Sequence, residues 1–94
     1  MEAGLYANRF SQAFQRILEK TGVSCYQISQ YTGLDQAYLS RLKKGVRNNP
    51  SVETIMKISL AIACFSTKFS IRDAENLFNS IGRSLIPKRS HRYT

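Results

Sequence analysis

The strongest constraint on the fold of this chain is a pair of short helix signatures that meet at one glycine, Gly33. The first begins at Ser24, where Gln27 three residues later completes a capping box. The second begins after Asp35, a good N-cap, and ends at Gly45. Because glycine adopts a positive φ without steric cost, Gly33 predicts a sharp turn between two helices that pack at a steep angle.

Three further segments show helical periodicity. The first runs from Tyr6 to Gly22, with apolar residues on one face. Another starts at the cap Ser51 and is apolar on nearly every side, which predicts a helix at the centre of the core. The last runs from Ser70 to Gly82, and no strand pattern competes with these assignments.

Together these segments predict an all-α fold, a compact five-helix bundle that contains a helix-turn-helix. With 94 residues the chain is long enough for one domain. We assign residues 1–82 to this domain. Residues 83–94, RSLIPKRSHRYT, lack periodicity and are predicted to be a basic, flexible tail.

The net charge of the chain favours a polyanionic partner. It has 14 Lys and Arg residues against six Asp and Glu, which gives a formal charge of +8. Eight of the 14 basic residues fall in two acid-free stretches, 41–47 and 83–92. Nucleic acids and anionic membrane surfaces are partners of this class.

Several other classes of function find no support in the sequence. Cys25 and Cys64 form no C-x-x-C pair for zinc or redox chemistry. The single histidine, His91, lies in the tail, and no carboxylate pair or glycine-rich phosphate loop is visible, so we expect no enzyme, no metal and no cofactor. Without a signal peptide or a membrane-length apolar run, the expected location is the cytoplasm, in association with the nucleoid, and no membrane partner is expected.

The stretch SCYQISQYTGLDQAYLSRLKKG, residues 24–45, meets the requirements of two helices that cross closely, including a small residue, Ser29, where they approach. On this stretch, the N-N-P-S run and the apolar segment SVETIMKISLAIACF, the chain resembles the helix-turn-helix domain of the phage-repressor and Cro type, also called the XRE family. The resemblance covers roughly Phe10 to Phe65. It implies a lambda-repressor-like five-helix bundle that binds operator DNA, usually as a dimer. The third helix then lies in the major groove and the second crosses the backbone.

The third helix, residues 36–44, supplies the candidate base contacts. Glutamine can pair with adenine, arginine with guanine, and alanine can contact the thymine methyl group. The resemblance implies base contacts at three positions, and two neighbours on the helix complete the set: Gln36, Ala37, Tyr38, Ser40 and Arg41. Candidate phosphate contacts come from the second helix, the end of the third and the following loop: Gln27, Lys43, Lys44, Arg47, Asn48 and Asn49. The alternative roles are solvated charges at a helix C-terminus for the basic residues and turn formation for the asparagines.

Three positions depart from the family pattern. Cys25 replaces a glutamine that often fixes a phosphate in family members. Ser29 stands where they often carry alanine, and Lys43 lies near a position that often holds glutamate. A thiol at a helix N-terminus also suggests a redox sensor with a lowered pKa. Elsewhere we expect Cys64 to be a buried small apolar residue and Tyr31 to lie in the core or at its edge, whereas Tyr26 and Tyr38 should be partly exposed.

The combined interpretation is a sequence-specific, double-stranded-DNA-binding transcriptional regulator, with repression as the expected sign. Apolar residues near the C-terminus predict a homodimer interface, or complete the core if they fold back: Phe78, Ile81, Leu85 and Ile86. One alternative is a protein-interaction module, such as an antitoxin or a bridging factor, that uses the same fold to dock a protein partner. Another is charge-driven binding of RNA or of nucleic acid without sequence preference, to which the basic tail would contribute.

Overall fold

The computed structural model describes residues 8–47 and 49–82. These residues form five α-helices and no strand: α1 Arg9–Thr21, α2 Cys25–Thr32, α3 Gln36–Lys44, α4 Val52–Phe65 and α5 Ile71–Asn79. The predicted all-α, five-helix fold is thereby confirmed. The predicted tail, residues 83–94, lies outside the described residues.

Side-chain caps at the predicted positions start the last four helices. In each case a serine or aspartate oxygen accepts a hydrogen bond from the backbone N–H three residues later, at Ser24, Asp35, Ser51 and Ser70. Such a cap replaces one of the hydrogen bonds that the first helical turn cannot make internally. These four helix starts therefore follow from local sequence alone.

The two outer helix ends differ from the prediction. Helix α1 begins at Arg9 rather than at Tyr6, because Asn8 and Ser11 form a reciprocal capping box. Helix α5 ends at Asn79, three residues before Gly82, whose positive φ of 79° belongs to the turn that follows. In both places local hydrogen bonds set the helix boundary, and the helix is shorter than the segment of apolar periodicity.

The core receives fully buried apolar side chains from every helix: Phe14, Ile28, Leu39, Leu42, Ile55, Ile58, Ile62 and Leu77. Burial of each such side chain stabilises the fold by about 1.5–3 kcal/mol. Helix α3 packs against both α1 and α2, α4 packs against α2 and α5, and α1 also packs against α5. The short helix α3 is therefore fixed to the body of the domain through two neighbours.

Helix α4 is not surrounded by the core, which corrects the prediction from its composition. Its buried side consists of Ile55, Ile58, Ala61 and Ile62, whereas Met56 and Leu60 are 50% and 59% exposed. Cys64 is also exposed rather than buried. The reason is that α2 and α5 cover only part of the circumference of α4. No helix within the described ranges, α4 included, has the length and apolar content needed to cross a membrane.

Tyr31 was expected in the core or at its edge, and this prediction is wrong because its side chain is 52% exposed. Helix α2 has only eight residues and buries a single one, Ile28. The ring of Tyr31 instead makes an edge contact with Phe65, with 6.2 Å between the ring centroids. Tyr26 is exposed and Tyr38 is partly buried, as predicted.

An ion pair joins the end of α1 to the start of α5. Lys20 Nζ donates to Asp73 Oδ2 at 2.7 Å, and the same carboxylate oxygen accepts the backbone N–H of Ser70 at 2.9 Å. Burial by itself raises the pKa of Asp73, but the hydrogen bonds from Lys20 and Ser70 outweigh it and hold the pKa below its ordinary value. Ionised Asp73 therefore stabilises the folded state.

Replacement of Asp73 by asparagine tests this contribution, because the amide keeps an oxygen for the cap and loses the charge. We expect Asp73→Asn to lower the free energy of unfolding at pH 7 by about 1–2 kcal/mol, measured by urea denaturation. A lowered folded pKa stabilises above the ordinary value of 3.8, and that stabilisation is lost as the pH falls through the folded pKa. The difference in unfolding free energy between variant and wild type should therefore shrink as the pH falls through the folded pKa of Asp73.

Glu53→Gln provides the matched control, since Glu53 pairs with Lys57 at 3.6 Å and both side chains are well exposed. Exposed pairs of this kind contribute little, so the control should stay within about 0.5 kcal/mol of the wild type. If Asp73→Asn lowered the free energy of unfolding equally at pH 2 and at pH 7, the charge of Asp73 would not be what stabilises the fold.

Candidate nucleic-acid interface

The turn between α2 and α3 is held by hydroxyl groups from α2. Gly33 takes the left-handed conformation, with φ at 82°. Ser29 Oγ then donates to the carbonyl of Leu34 at 2.7 Å, and Thr32 Oγ1 accepts the N–H of Leu34 at 3.0 Å. Both backbone groups of Leu34 are thus bonded to α2, which fixes the direction in which α3 leaves the turn.

The C-terminal end of α3 is closed by a second left-handed glycine, Gly45, with φ at 88°. The carbonyl of Arg41 accepts three backbone N–H groups, from Gly45 and Val46 at 3.0 Å and from Arg47 at 3.2 Å. This arrangement brings Arg47 back over the last turn of α3. Its guanidinium carbon lies 5.3 Å from the centroid of the Tyr38 ring, a cation–π distance.

Helix α1 also supports this end of α3, through two contacts that sequence reasoning missed. Gln15 Nε2 donates to the carbonyl of Lys43 at 2.6 Å, and Asn8 Nδ2 donates to the carbonyl of Gly45 at 3.4 Å. Carbonyls in the last turn of a helix lack internal partners, so these amides satisfy them. The contacts join residues 28 and 37 positions apart, and no local motif in the sequence marks them.

All predicted base-contact residues lie on α3. Leu39 and Leu42 are completely buried, while Gln36, Ala37 and Arg41 are exposed. Ser40 and Tyr38 are partly buried. With 3.6 residues per turn, positions 36, 37, 40, 41 and 44 share the side of α3 opposite the two leucines. The helix therefore presents a polar face that contains both a long amide and a guanidinium group.

Of the predicted phosphate contacts, Asn48 lies outside the described ranges, and the others lie on α2, in the last turn of α3 and in the segment after it. Lys43, Lys44 and Arg47 are exposed. Gln27 accepts the N–H of Ser24 through Oε1 at 3.0 Å, which leaves its amide NH₂ group outside this capping interaction. These side chains provide hydrogen-bond donors at the start of α2 and at the end of α3.

Asn49, the remaining predicted phosphate contact, is exposed and has a positive φ of 52°. Asparagine tolerates this left-handed conformation better than most residues. The conformation supports a turn-forming role for Asn49, which is compatible with a phosphate contact from its exposed side chain.

This arrangement agrees with the comparisons to known proteins. A family model described as Helix-turn-helix matches residues 14–64, more than half of the chain. The chain belongs to the XRE-type helix-turn-helix family. It is also similar to the HTH-type transcriptional regulator SlrR of Bacillus subtilis (strain 168), with 32% identity over 59 residues. The match covers 63% of this chain and 38% of that relative, so the chain spans well under half of the relative's length. No solved structure gives a significant match.

Cys25 is the first residue of α2 in this XRE-family chain. Burial raises the pKa of the Cys25 thiol, and the nearby charge of Lys43 offsets this only in part. The raised pKa contradicts the hypothesis of a redox sensor with an activated thiolate, because a reactive cysteine needs a lowered pKa. Cys25 instead packs against the core.

The residues predicted for an XRE-type dimer interface are only partly available to a second subunit. Phe78 is 4% exposed and packs in the core, and Ile81 is partly buried against it. Leu85 and Ile86 lie outside the described residues. Of the four, Phe78 therefore already completes the core of one subunit.

Gly33→Ala tests whether the helix-turn-helix turn depends on the left-handed backbone. No atom lies within 4 Å of an added Cβ, so the cost is backbone strain alone, about 1–2 kcal/mol of unfolding free energy. Gly33→Asn serves as the matched control. Its free energy of unfolding should fall clearly less, because asparagine tolerates positive φ. Urea denaturation measures both, and equal stability of the alanine variant and the wild type would show that the positive φ is not required.

Proposed function

We propose that this chain binds specific sites on double-stranded DNA as a transcriptional regulator, with repression as its effect. In this proposal α3 enters the major groove and α2 lies across the backbone. The observation that carries the proposal is the polar face of α3. One side of the helix is buried through Leu39 and Leu42, both ends are fixed by hydrogen bonds, and the exposed side carries Gln36 and Arg41.

On this face each side chain has a distinct expected role at the base edges. Gln36 in the first turn suits the paired acceptor and donor of adenine, and Arg41 suits the two acceptors of guanine. Ala37 is short and exposed, which suits contact with a thymine methyl group. Ser40 is partly buried, and the Tyr38 ring contacts Arg47, so these two have less freedom to adapt to the groove.

Phosphate contacts from both sides of α3 would set its register on the duplex. The proposed donors on one strand belong to the amide of Gln27. Those on the other strand are the charged groups in and after the last turn of α3 and the two asparagines that follow: Lys43, Lys44, Arg47, Asn48 and Asn49. These contacts position the protein and carry no sequence information by themselves. They would supply most of the salt dependence of binding.

We further propose that the chain acts as a homodimer on two related half-sites, within the cytoplasm and at the nucleoid. A nine-residue recognition helix contacts few base pairs, and dimers of this fold gain specificity by reading two half-sites one helical turn apart. Ile81, Leu85 and Ile86 remain the predicted contacts, whereas Phe78 is occupied in the core. We propose no catalytic activity and no cofactor.

A pair of substitutions separates base contacts from phosphate contacts. After selection of a site from a randomised duplex pool, Arg41→Ala should weaken binding by about 1–3 kcal/mol and relax preference at one position in each half-site. Lys44→Ala should weaken binding to all sequences and reduce the slope of log affinity against log salt by about one. Fluorescence anisotropy at several salt concentrations measures both quantities.

Arg72→Ala is the control for these measurements, because it removes an exposed charge from α5, outside the proposed interface. It should leave both affinity and sequence preference unchanged. Binding that has no selected sequence and responds equally to all three substitutions would contradict base recognition by α3 and leave a charge-driven binder.

Dimerisation predicts a definite pattern in the selected DNA. We expect two related half-sites whose centres lie about 10–10.5 base pairs apart, or a multiple of that distance. Sedimentation equilibrium should show two chains on each duplex. A selected site with a single, unrepeated element and one bound chain would contradict the dimer.

A second candidate function, protein docking, is favoured by the apolar surface between α4 and α5. Met56, Leu60 and Ile71 line an open pocket of about 330 Å³ and are at least half exposed. Contiguous exposed apolar surface of this kind often marks an interaction site. Docking alone, without DNA binding, is the outcome if the duplex pool yields no selected site.

A further inference from the structure

A polar pocket of about 340 Å³ lies between α1 and α5 and plays no part in the proposed DNA interface. Among the described residues, Ala13 lines its apolar part and six polar residues line the rest: Arg9, Gln12, Arg16, Asn76, Asn79 and Ser80. Its volume falls at the lower end of the range for small-molecule sites. None of the described residues that line it is acidic.

The donors in this pocket have no partner among the described residues. Arg9 and Arg16 form no ion pair within the described ranges. In the same part of the chain, the side-chain amides of Gln12, Asn76 and Asn79 have no hydrogen-bond partner. Two charged groups and three amides therefore face a shared space, and no described residue supplies them with an acceptor.

The ordinary structural role for arginines in this place, to satisfy the end of α5, is already filled. The carbonyls of residues 76, 78 and 79 accept backbone N–H groups from Ser80, Ile81 and Gly82 at 3.0–3.2 Å. The carbonyl of Leu77 accepts Ser80 Oγ at 2.6 Å. The last turn of α5 thus needs no hydrogen bond from Arg9 or Arg16.

From these observations we propose that the pocket between α1 and α5 binds a phosphorylated small molecule through Arg9 and Arg16. The two residues lie seven positions apart on one side of α1, about 10 Å along the helix, so their long side chains can converge on one anion. Their two charges match the charge of about −2 on a phosphate monoester, whose three terminal oxygens suit bidentate guanidinium groups. The amides of Gln12, Asn76 and Asn79 supply further donors.

The pocket faces a different direction from α3. Gln15, which bonds to the end of α3, and Arg16, which lines the pocket, are successive residues of α1 and point about 100° apart. The partner of this side of α1 is α5, which contributes none of the proposed DNA contacts. A small phosphorylated ligand therefore fits the site better than a duplex that already occupies the exposed face of α3.

Nuclear magnetic resonance titration of the full chain with inorganic phosphate tests the proposal, with sodium chloride added to keep the ionic strength constant. We expect saturable shifts of the side-chain signals of Arg9, Arg16 and Asn76. The double variant Arg9→Gln, Arg16→Gln should bind phosphate at least about tenfold more weakly. Its backbone spectrum should otherwise retain the dispersion of the wild type, which shows that the fold is intact.

The charge-matched control is the double variant Lys57→Gln, Lys68→Gln, which removes two positive charges from α4 and the segment after it. It should bind phosphate as the wild type does. Shifts that do not saturate, or an equal loss of affinity in both double variants, would show general charge attraction and overturn the proposal.

Titration with the selected duplex separates this site from the DNA interface. The Arg9, Arg16 double variant should bind the duplex with unchanged affinity and an unchanged salt slope. A salt slope reduced by about two would instead assign the pocket to the DNA backbone and overturn the small-molecule proposal. Phosphate binding does not depend on whether the duplex pool yields a specific site, so the two proposals fail independently.

Discussion

The orientation of α3 depends on how the backbone of Leu34 is bonded to α2. Ser29 and Thr32 satisfy its carbonyl and its N–H, while Gly33 supplies the left-handed residue that lets the chain reverse so sharply. Each hydrogen bond contributes about 1 kcal/mol, less than the burial of Leu39 or Leu42. Apolar burial therefore holds α3 to the domain, and the polar contacts determine its angle. A surface that must match the spacing of base edges needs both.

Helix α1 connects the two polar surfaces of the domain. On one side, Asn8 and Gln15 complete the C-terminal end of α3. On the other, α1 packs along α5 and is fixed to it by the ion pair of Lys20 with Asp73. The face with the exposed arginines lies next to that packed side. The same helix that supports the proposed recognition surface thus also forms half of the proposed anion pocket.

Local sequence predicted most of the fold, because caps and left-handed glycines act within a few residues of their own positions. Contacts between helices were harder to predict from the sequence. Ser29 was identified only as a small residue, and its bond to Leu34 depends on the final angle between two helices. Tyr31, predicted in the core or at its edge, and Cys64, predicted to be buried, are both exposed. Periodicity shows which residues are apolar and not how much of a helix its neighbours cover. The face of α3 was predictable since two buried leucines define its opposite side.

Recognition of a base edge in the major groove by Arg41 can be tested with a thermodynamic cycle that uses modified DNA. Each purine of the selected site is replaced in turn by its 7-deaza analogue, which lacks the N7 acceptor, and binding of wild type and Arg41→Ala is measured. We expect one guanine per half-site at which the modification weakens binding by the wild type and has little further effect on binding by the variant. Equal losses for both proteins at every purine, or no loss at any, would contradict it.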